Sequence, residues 1–261
     1  MNDEDPLRDK IYDWVEKSGR ALELRTARAF WDGTATTVAQ SYVFTDPTNK
    51  LIPREGDVLA SFDWTTKVQA GDDGLACSLR VVVECKSSNA KPWVAFEPTD
   101  STQRGPGLDD WLVRAWAPWS PVQDFIEKAW GGHAPYEDAP SASHVIAANL
   151  GNGAARDIDS AKNYAGDAIQ QVLAAANAVA ESDVKIRQPQ GVYVIAAVVT
   201  AAPLYTCRLD SDGHIHLNAI DHLTVYSHHS NNAQRVHVLN EKKLPAFVEK
   251  MGNLAKRAKR N

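Results

Sequence analysis

The order of apolar and polar positions divides the chain into helical and extended stretches. Residues 6 to 31 carry Ile11, Trp14, Val15, Leu22, Ala29 and Phe30 at mostly helical spacing, with charged residues between them, which predicts a helix. Gly19 interrupts the run and predicts a break into two pieces. In the second piece Leu24, Ala27 and Phe30 come round to neighbouring faces, Glu23 follows the break, and Asp32-Gly33 ends the helix. Residues 34 to 45, rich in Thr, Val, Tyr and Phe, predict a strand, and 46 to 50 a turn. A second strand is expected over 57 to 64, introduced by Arg54-Glu55-Gly56. A third follows over 76 to 86 after the turn Gly71-Asp72-Asp73-Gly74. The three strands form an expected meander.

Residues 98 to 160 follow no clear period. They are rich in Pro, Gly and Ser and hold Trp111, Trp116, Trp119 and Trp130. Short helices are expected near 108 to 116 and 121 to 130, with the tryptophans packing an insertion onto the core. Asp159 or Ser160 is placed to cap a helix running to about 181, whose stripe is Tyr164, Ile169, Val172, Leu173, Ala176 and Val179. Residues 191 to 200 predict a buried strand. Residues 205 to 209 and 214 to 217 predict a hairpin around Asp210-Ser211-Asp212-Gly213, and 223 to 226 a further strand. A last helix over 242 to 258 carries Leu244, Phe247, Val248, Met251 and Leu254, and its basic end suits the helix dipole.

With 261 residues and 44% hydrophobic content, the chain is read as one α/β domain, 1 to 261, with insertions. The acidic N-terminus lacks the apolar core of a signal peptide. The longest apolar run, 192 to 204, includes Thr200 and Pro203 and is too short to span a bilayer. A cytoplasmic protein without a membrane partner is expected. Cys77, Cys85 and Cys207 form no C-x-x-C pair, against a disulfide framework or structural zinc. The net charge of −5 argues against a surface that coats nucleic acid throughout, while leaving room for a local basic cleft. His214 and His216 share a strand face and His228-His229 are adjacent, but no Cys or carboxylate spacing completes a zinc set, so solvated histidines are expected. Ser87-Ser88 lack a G-x-S-x-G setting, and Gly151-Asn152-Gly153 lacks the lysine of a phosphate loop.

The third strand holds a conflict between pattern and content. Arg80-Val-Val-Val-Glu-Cys-Lys-Ser-Ser opens as a strand buried on both faces, then carries Glu84 and Lys86. Residues two apart share a face, so Glu84 and Lys86 point one way and Val83 and Cys85 the other. Such charges are costly to bury unless paired or bound to a metal. A Glu-x-Lys alone is a solvated salt bridge more often than a site. Here Asp57 opens the preceding strand behind Gly56, and Glu23 lies on a helix that must pack against this sheet. Two carboxylates on adjacent strands can share Mg²⁺, and a neighbouring lysine can orient or deprotonate a water.

The order helix with Glu23, strand with Asp57, strand with Glu84-x-Lys86, helix, strand resembles the PD-(D/E)xK nuclease superfamily, the restriction-endonuclease-like fold. The run Glu84-Cys-Lys-Ser-Ser-Asn-Ala-Lys-Pro-Trp-Val94 also resembles bacterial members associated with restriction or phage defence. The resemblance implies a mixed central sheet flanked by helices in αβββαβ order. Its core would be 10 to 96 and 160 to 200, its insertion 98 to 159, and its C-terminal extension, a β-hairpin plus helix, 201 to 261. It implies hydrolysis of DNA phosphodiester bonds with Mg²⁺, or Mn²⁺ in its place. Asp57, Glu84 and the Cys85 backbone carbonyl would bind the ion, Lys86 would act on the water, and Glu23 would hold a second metal or a metal-bound water. Arg20, Arg25, Arg54, Lys91 and Arg104 are the candidate phosphate contacts. A homodimer or a larger defence complex is the expected assembly. Gly56 in place of the family's proline is a departure. Two other readings stay open. One is a catalytically silent domain of this fold that binds nucleic acid or protein in a larger complex; the other is an unrelated α/β protein whose Glu84-Lys86 is a salt bridge.

Overall fold

The structure is a computed structural model that describes residues 6–46, 52–66, 75–87, 91–98, 114–116, 139–148, 164–187, 191–229 and 232–260. The first helical run breaks as expected into α1 (Pro6–Ser18) and α2 (Arg20–Asp32). Gly19 between them has φ 87°, where a side chain is strained, and a Cβ there would lie 3.0 Å from Ser87 Oγ. The meander follows as β1 (Thr37–Thr45), β2 (Pro53–Thr66) and β3 (Leu75–Lys86). Next come the short strands β4 (Trp93–Phe96), β5 (Arg114–Trp116), β6 (Ser141–Ala142) and β7 (His144–Ala147). Helix α3 (Tyr164–Arg187) leads to β8 (Gly191–Thr200), β9 (Leu204–Leu209) and β10 (Ile215–Ile220). The chain ends with β11 (His222–His229), β12 (Asn232–Asn240) and α4 (Leu244–Arg260).

The fold is α/β, with a mixed sheet flanked by helices. Seven strands run in the order β1-β2-β3-β8-β12-β11-β6, and β5 pairs with the first part of β8. β3 and β12 both lie parallel to β8. Alternate residues of β8 feed two cores: Tyr193, Ile195, Ala197 and Val199 pack with α2 and α4, while Val192, Val194, Ala196 and Val198 pack with α3. Burial on both faces is the reason for its unbroken apolar run.

A second sheet, β10-β9-β4-β7, continues from the first. The parallel pair β3–β8 bends and resumes as the parallel pair β4–β9. Ala201 N–H donates to the Lys86 carbonyl at 3.1 Å, and Trp93 N–H donates to the Pro203 carbonyl at 2.9 Å. Thr200 Oγ1 accepts the Ala202 N–H at 3.0 Å, and Pro203 has no N–H to extend the ladder. The corner thus falls immediately after Lys86.

Several expectations need correction. No residue of α1 is buried; Ile11 and Trp14 are 52% and 66% exposed, so of the two N-terminal helices it is α2 whose apolar residues join the core. Periodicity identifies an apolar face without naming its partner. Leu24 also points to solvent. The hairpin of 205 to 217 forms, but in the second sheet. β12 was not expected, because Arg235, His237 and Asn240 interrupt its apolar residues, yet it fills the place between β8 and β11. Residues 114–116 are a strand where a helix was expected, and β6 and β7 show the insertion adding strands to both sheets. The rest of 108 to 116, the helix near 121 to 130, Trp111, Trp119, Trp130, Asp159, Ser160, Ser88 and Gly151 to Gly153 lie outside the described residues. Among the described residues no helix is long and apolar enough to cross a membrane.

Candidate active site

β2 and β3 pair as far as Val58 and Val83. One residue on, the ladder gives way: Asp57 Oδ2 accepts the Cys85 N–H at 2.6 Å, so a side chain replaces a backbone acceptor. β2 stays with β1, Gly56 lying opposite Tyr42. The parting of β2 from β3 and the corner after Lys86 open a cleft of about 510 Å³. Glu23, Asp57, Glu84 and Lys86 line it, with Lys91 and Tyr164. The four residues expected to carry the chemistry therefore share one cavity.

Strand alternation places Glu84 and Lys86 on the α3 side, and Val83 and Cys85 on the α2 side. Glu84 is 3% exposed, and Lys86 Nζ lies 2.5 Å from its Oε1. Burial pushes the Glu84 carboxyl up to about 7 and Asp57 adds to the rise; the Lys86 ammonium opposes both without cancelling them. Asp57 is raised for the same first reason, burial, and Glu23 adds to it, while the Cys85 N–H, Lys86 and Arg20 pull the other way. Burial also raises the Cys85 thiol, whose Sγ donates to Thr26 Oγ1 at 3.6 Å, so it is no nucleophile. The Lys86 carbonyl faces β8 through Ala201; the Cys85 carbonyl, one residue earlier, faces the β2 side by strand alternation. Glu23 enters from α2 and is held by Arg20 at 2.6 Å.

Among the described residues no three His, Cys, Asp or Glu side chains are grouped so that they could hold a metal ion. Mg²⁺ asks for less: one or two carboxylates, with waters and substrate oxygens for the rest. Asp57, Glu84 and the Cys85 carbonyl are the groups of the cleft that could supply that set. Burial raises both carboxylates, with Asp57 adding to the rise at Glu84 and Glu23 to that at Asp57, and the neighbouring cations oppose this only in part. The two carboxylates fit a hard cation.

The candidate phosphate contacts divide. Lys91 is in the cleft, its Nζ 5.4 Å from the Tyr164 ring centroid. Arg20 stands behind Glu23 and also reaches Glu55 at 3.3 Å. Arg25 is a correction: two residues beyond Glu23 on a helix, it faces away and pairs with Glu241 at 2.5 Å and Glu16 at 3.1 Å. Arg54 is another, because it pairs at 2.7 Å with the buried Asp46 instead of lining the cleft. Arg104 lies outside the described residues. His214 and His216 gather on Asp210 of their own turn, at 3.6 and 2.7 Å. A larger groove of about 790 Å³ lies between α2 and α4, and its Arg25 and Arg28 are paired with neighbouring acids.

Two residues of the region escaped the sequence reading. Tyr164 belongs by spacing to an apolar stripe, yet it is 50% exposed at the cleft. Tyr42 read as an ordinary strand residue. Its signal was Gly56: a Cβ there would lie 2.5 Å from Tyr42 Cζ, so the glycine admits this ring.

Comparison with protein-family models, with curated proteins and with solved structures returns no match.

Proposed function

We propose that the protein is a metal-dependent nuclease that hydrolyses DNA phosphodiester bonds, built on a restriction-endonuclease-like core of α2, β1 to β3, α3 and β8. The carrying observation is the convergence of Asp57, Glu84 and Lys86 where β2 parts from β3, inside a cleft that also holds Lys91. Asp57, Glu84 and the Cys85 carbonyl would hold Mg²⁺, which supplies Lewis-acid polarisation of a phosphate oxygen and neutralises developing charge. Lys86 leaves Glu84 to orient the attacking water toward phosphorus. Lys91, which lines the same cleft, binds the phosphate. Glu23, positioned by Arg20, adds a second acceptor for water. A net charge of −5 leaves these local cations, and the ion itself, as the attraction for the phosphate chain. A role in restriction or phage defence belongs to this reading.

A second reading, a silent module of the same fold acting as a binding subunit, is favoured by one observation: α1 presents Ile11 and Trp14 to solvent. The test is cleavage of supercoiled plasmid, single-stranded DNA and RNA with Mg²⁺ or Mn²⁺, against EDTA and Lys86→Ala. The expected result is metal-dependent cutting of DNA that falls at least ~100-fold in the variant. Cutting that survives Lys86→Ala refutes this site. No cutting, with Mg²⁺ leaving the melting temperature unchanged, selects the binding module.

A further inference from the structure

The second sheet ends in an open edge. β10 pairs with β9 on one side, and among the described residues no strand pairs with its other side. Residues 215 to 219 are exposed, Ile215 at 68% and Leu217 at 61%. Exposed edges ordinarily carry Lys, Pro, another charge or a bulge that keeps further strands away. Ile215-His216-Leu217-Asn218-Ala219-Ile220 holds no Lys, Arg, acid or Pro, and its register with β9 is unbroken. The hairpin fixes which backbone groups face outward. Asp210 N–H donates to the His214 carbonyl at 3.0 Å, and on the other side of β9 Glu97 N–H donates to the Cys207 carbonyl at 3.0 Å. Alternation from these two bonds turns Leu204, Thr206 and Arg208 toward β10, and it leaves the N–H and C=O of Ile215, Leu217 and Ala219 pointing away from the sheet. The side chains of the same three residues share one face with Tyr205, Cys207 and Leu209, turned away from the buried Leu204 and Thr206.

We propose that β10 is a self-association edge: two copies of the chain pair their β10 strands antiparallel about a twofold axis through Leu217, joining their four-stranded sheets into one. The strand is its own complement. With Leu217 opposite Leu217 of the second copy, Ile215 falls opposite Ala219, and each presents an outward N–H and C=O to the same groups across the axis. This register alone uses all three outward residues. His216 and Asn218, whose backbone groups face β9, fall opposite each other. A slip of one residue would set outward groups against inward ones and apolar side chains against His216 and Asn218. Just past the pairs, His214 comes beside Asp221 of the second copy, so like charges do not meet at the ends. An anionic partner finds no lysine or arginine along the strand to bind it. The inference goes beyond the nuclease reading and does not rest on it.

A single short edge, roughly 20 Å long at about 3.4 Å per residue, is a small interface, so association in the micromolar range is expected. Sedimentation velocity of the full chain from about 2 to about 200 µM reads it. The wild type passes from monomer to dimer over that range. Leu217→Lys sets like charges face to face across the axis and weakens the dimer at least ~10-fold. Leu217 is exposed, so this variant melts within about 2 °C of the wild type. A crosslink reads the register. In a Cys207→Ser chain, which lacks the thiol opposite residue 217 on β9, Leu217→Cys oxidises to a covalent dimer. Hydrogen-bonded antiparallel pairs have Cα atoms about 5.5 Å apart, within disulfide reach. Asn218→Cys in the same chain does not crosslink, because it faces His216 of the second copy. A wild type that stays monomeric over the whole range overturns the proposal. So does a dimer that survives Leu217→Lys unweakened, or one that crosslinks equally well at both positions.

Discussion

The main sheet buries ionisable groups at two places and treats them in opposite ways. At the end of β3, Glu84, Asp57 and Lys86 keep company with one another and open onto a cleft. At the other end of the sheet order, β11 and β12 bury His222 and His237 under α4. Their ring nitrogens lie 3.2 Å apart, and Phe247 packs 5.4 Å from the His237 centroid. Burial, with Lys243, Lys250 and Arg235 behind it, drops His222 to about 3; burial first, then His222, Arg235 and Lys250, holds His237 well below its ordinary value. The histidines are neutral and sealed, a packing device. The acids keep an opposing charge and access to solvent. Burial of a titratable group therefore does not mark a site by itself; burial that opens on a cavity with opposite charge makes a candidate for one.

The sharpest way to break this comparison is to neutralise each region in turn. Glu84→Gln or Asp57→Asn is expected to lower metal-dependent cleavage at least ~100-fold, while His237→Leu leaves cleavage at 20 °C within about threefold. Plasmid nicking rates measure both. Comparable losses in all three variants would make the hairpin part of the catalytic apparatus and erase the contrast.

The contrast also explains what could be read from the sequence. Gly19, the β1–β3 meander and the both-faces-buried β8 were legible because each follows from a local rule: a helix breaker, short alternating strands, an unbroken apolar run. Glu84 and Lys86 were legible because they violate such a rule, standing as charges in an apolar strand. Asp57 and Glu23 needed the order of elements as well. β12 was hidden because its buried positions include His237 and Arg235, and burial of polar residues is a tertiary outcome that composition does not encode. Tyr42 was hidden for a related reason. The ring lies over Gly56, and its neighbour Ser41 has φ 48°, which no pattern of side chains announces. Arg25 and Arg54 were misplaced because nearness in sequence to Glu23 and Asp57 says nothing of the face on which each arginine emerges.

A smaller effect follows from the burial of Glu84 in the cleft. Glu84 rises from 4.5 to about 7 on folding, so its folded form holds a proton that the unfolded chain has already released. The stability this gives is complete below pH 4.5 and is lost as pH rises through about 7. At pH 8 without metal the ionised Glu84 costs on the order of 3 kcal/mol. Glu84→Gln is therefore expected to raise the metal-free melting temperature at pH 8 by about 6 °C, although the same change is expected to lower cleavage. Scanning calorimetry or dye melting reads the sign directly. A variant that melts lower than wild type would mean that the Lys86 pair already neutralises the cluster.

The smallest effect comes from the histidines and runs the other way. Their folded values lie below the unfolded 6.5, so on acidification the unfolded chain takes up protons that the folded protein refuses. Their contribution is intact above pH 7 and falls as pH drops below 6.5, by about 1.4 kcal/mol per histidine at pH 5.5. Over the same interval Glu84 gains its proton in the folded state and offsets part of the fall. The drop in melting temperature between pH 7.5 and 5.5 should thus be shallower than wild type in His237→Leu, by about 3 °C, and steeper in Glu84→Gln. Opposite departures from one wild-type curve would assign one group to each region. Two variants that track the wild type would mean that neither burial costs what its surroundings demand, and the difference between an open and a sealed ionisable pair would not survive.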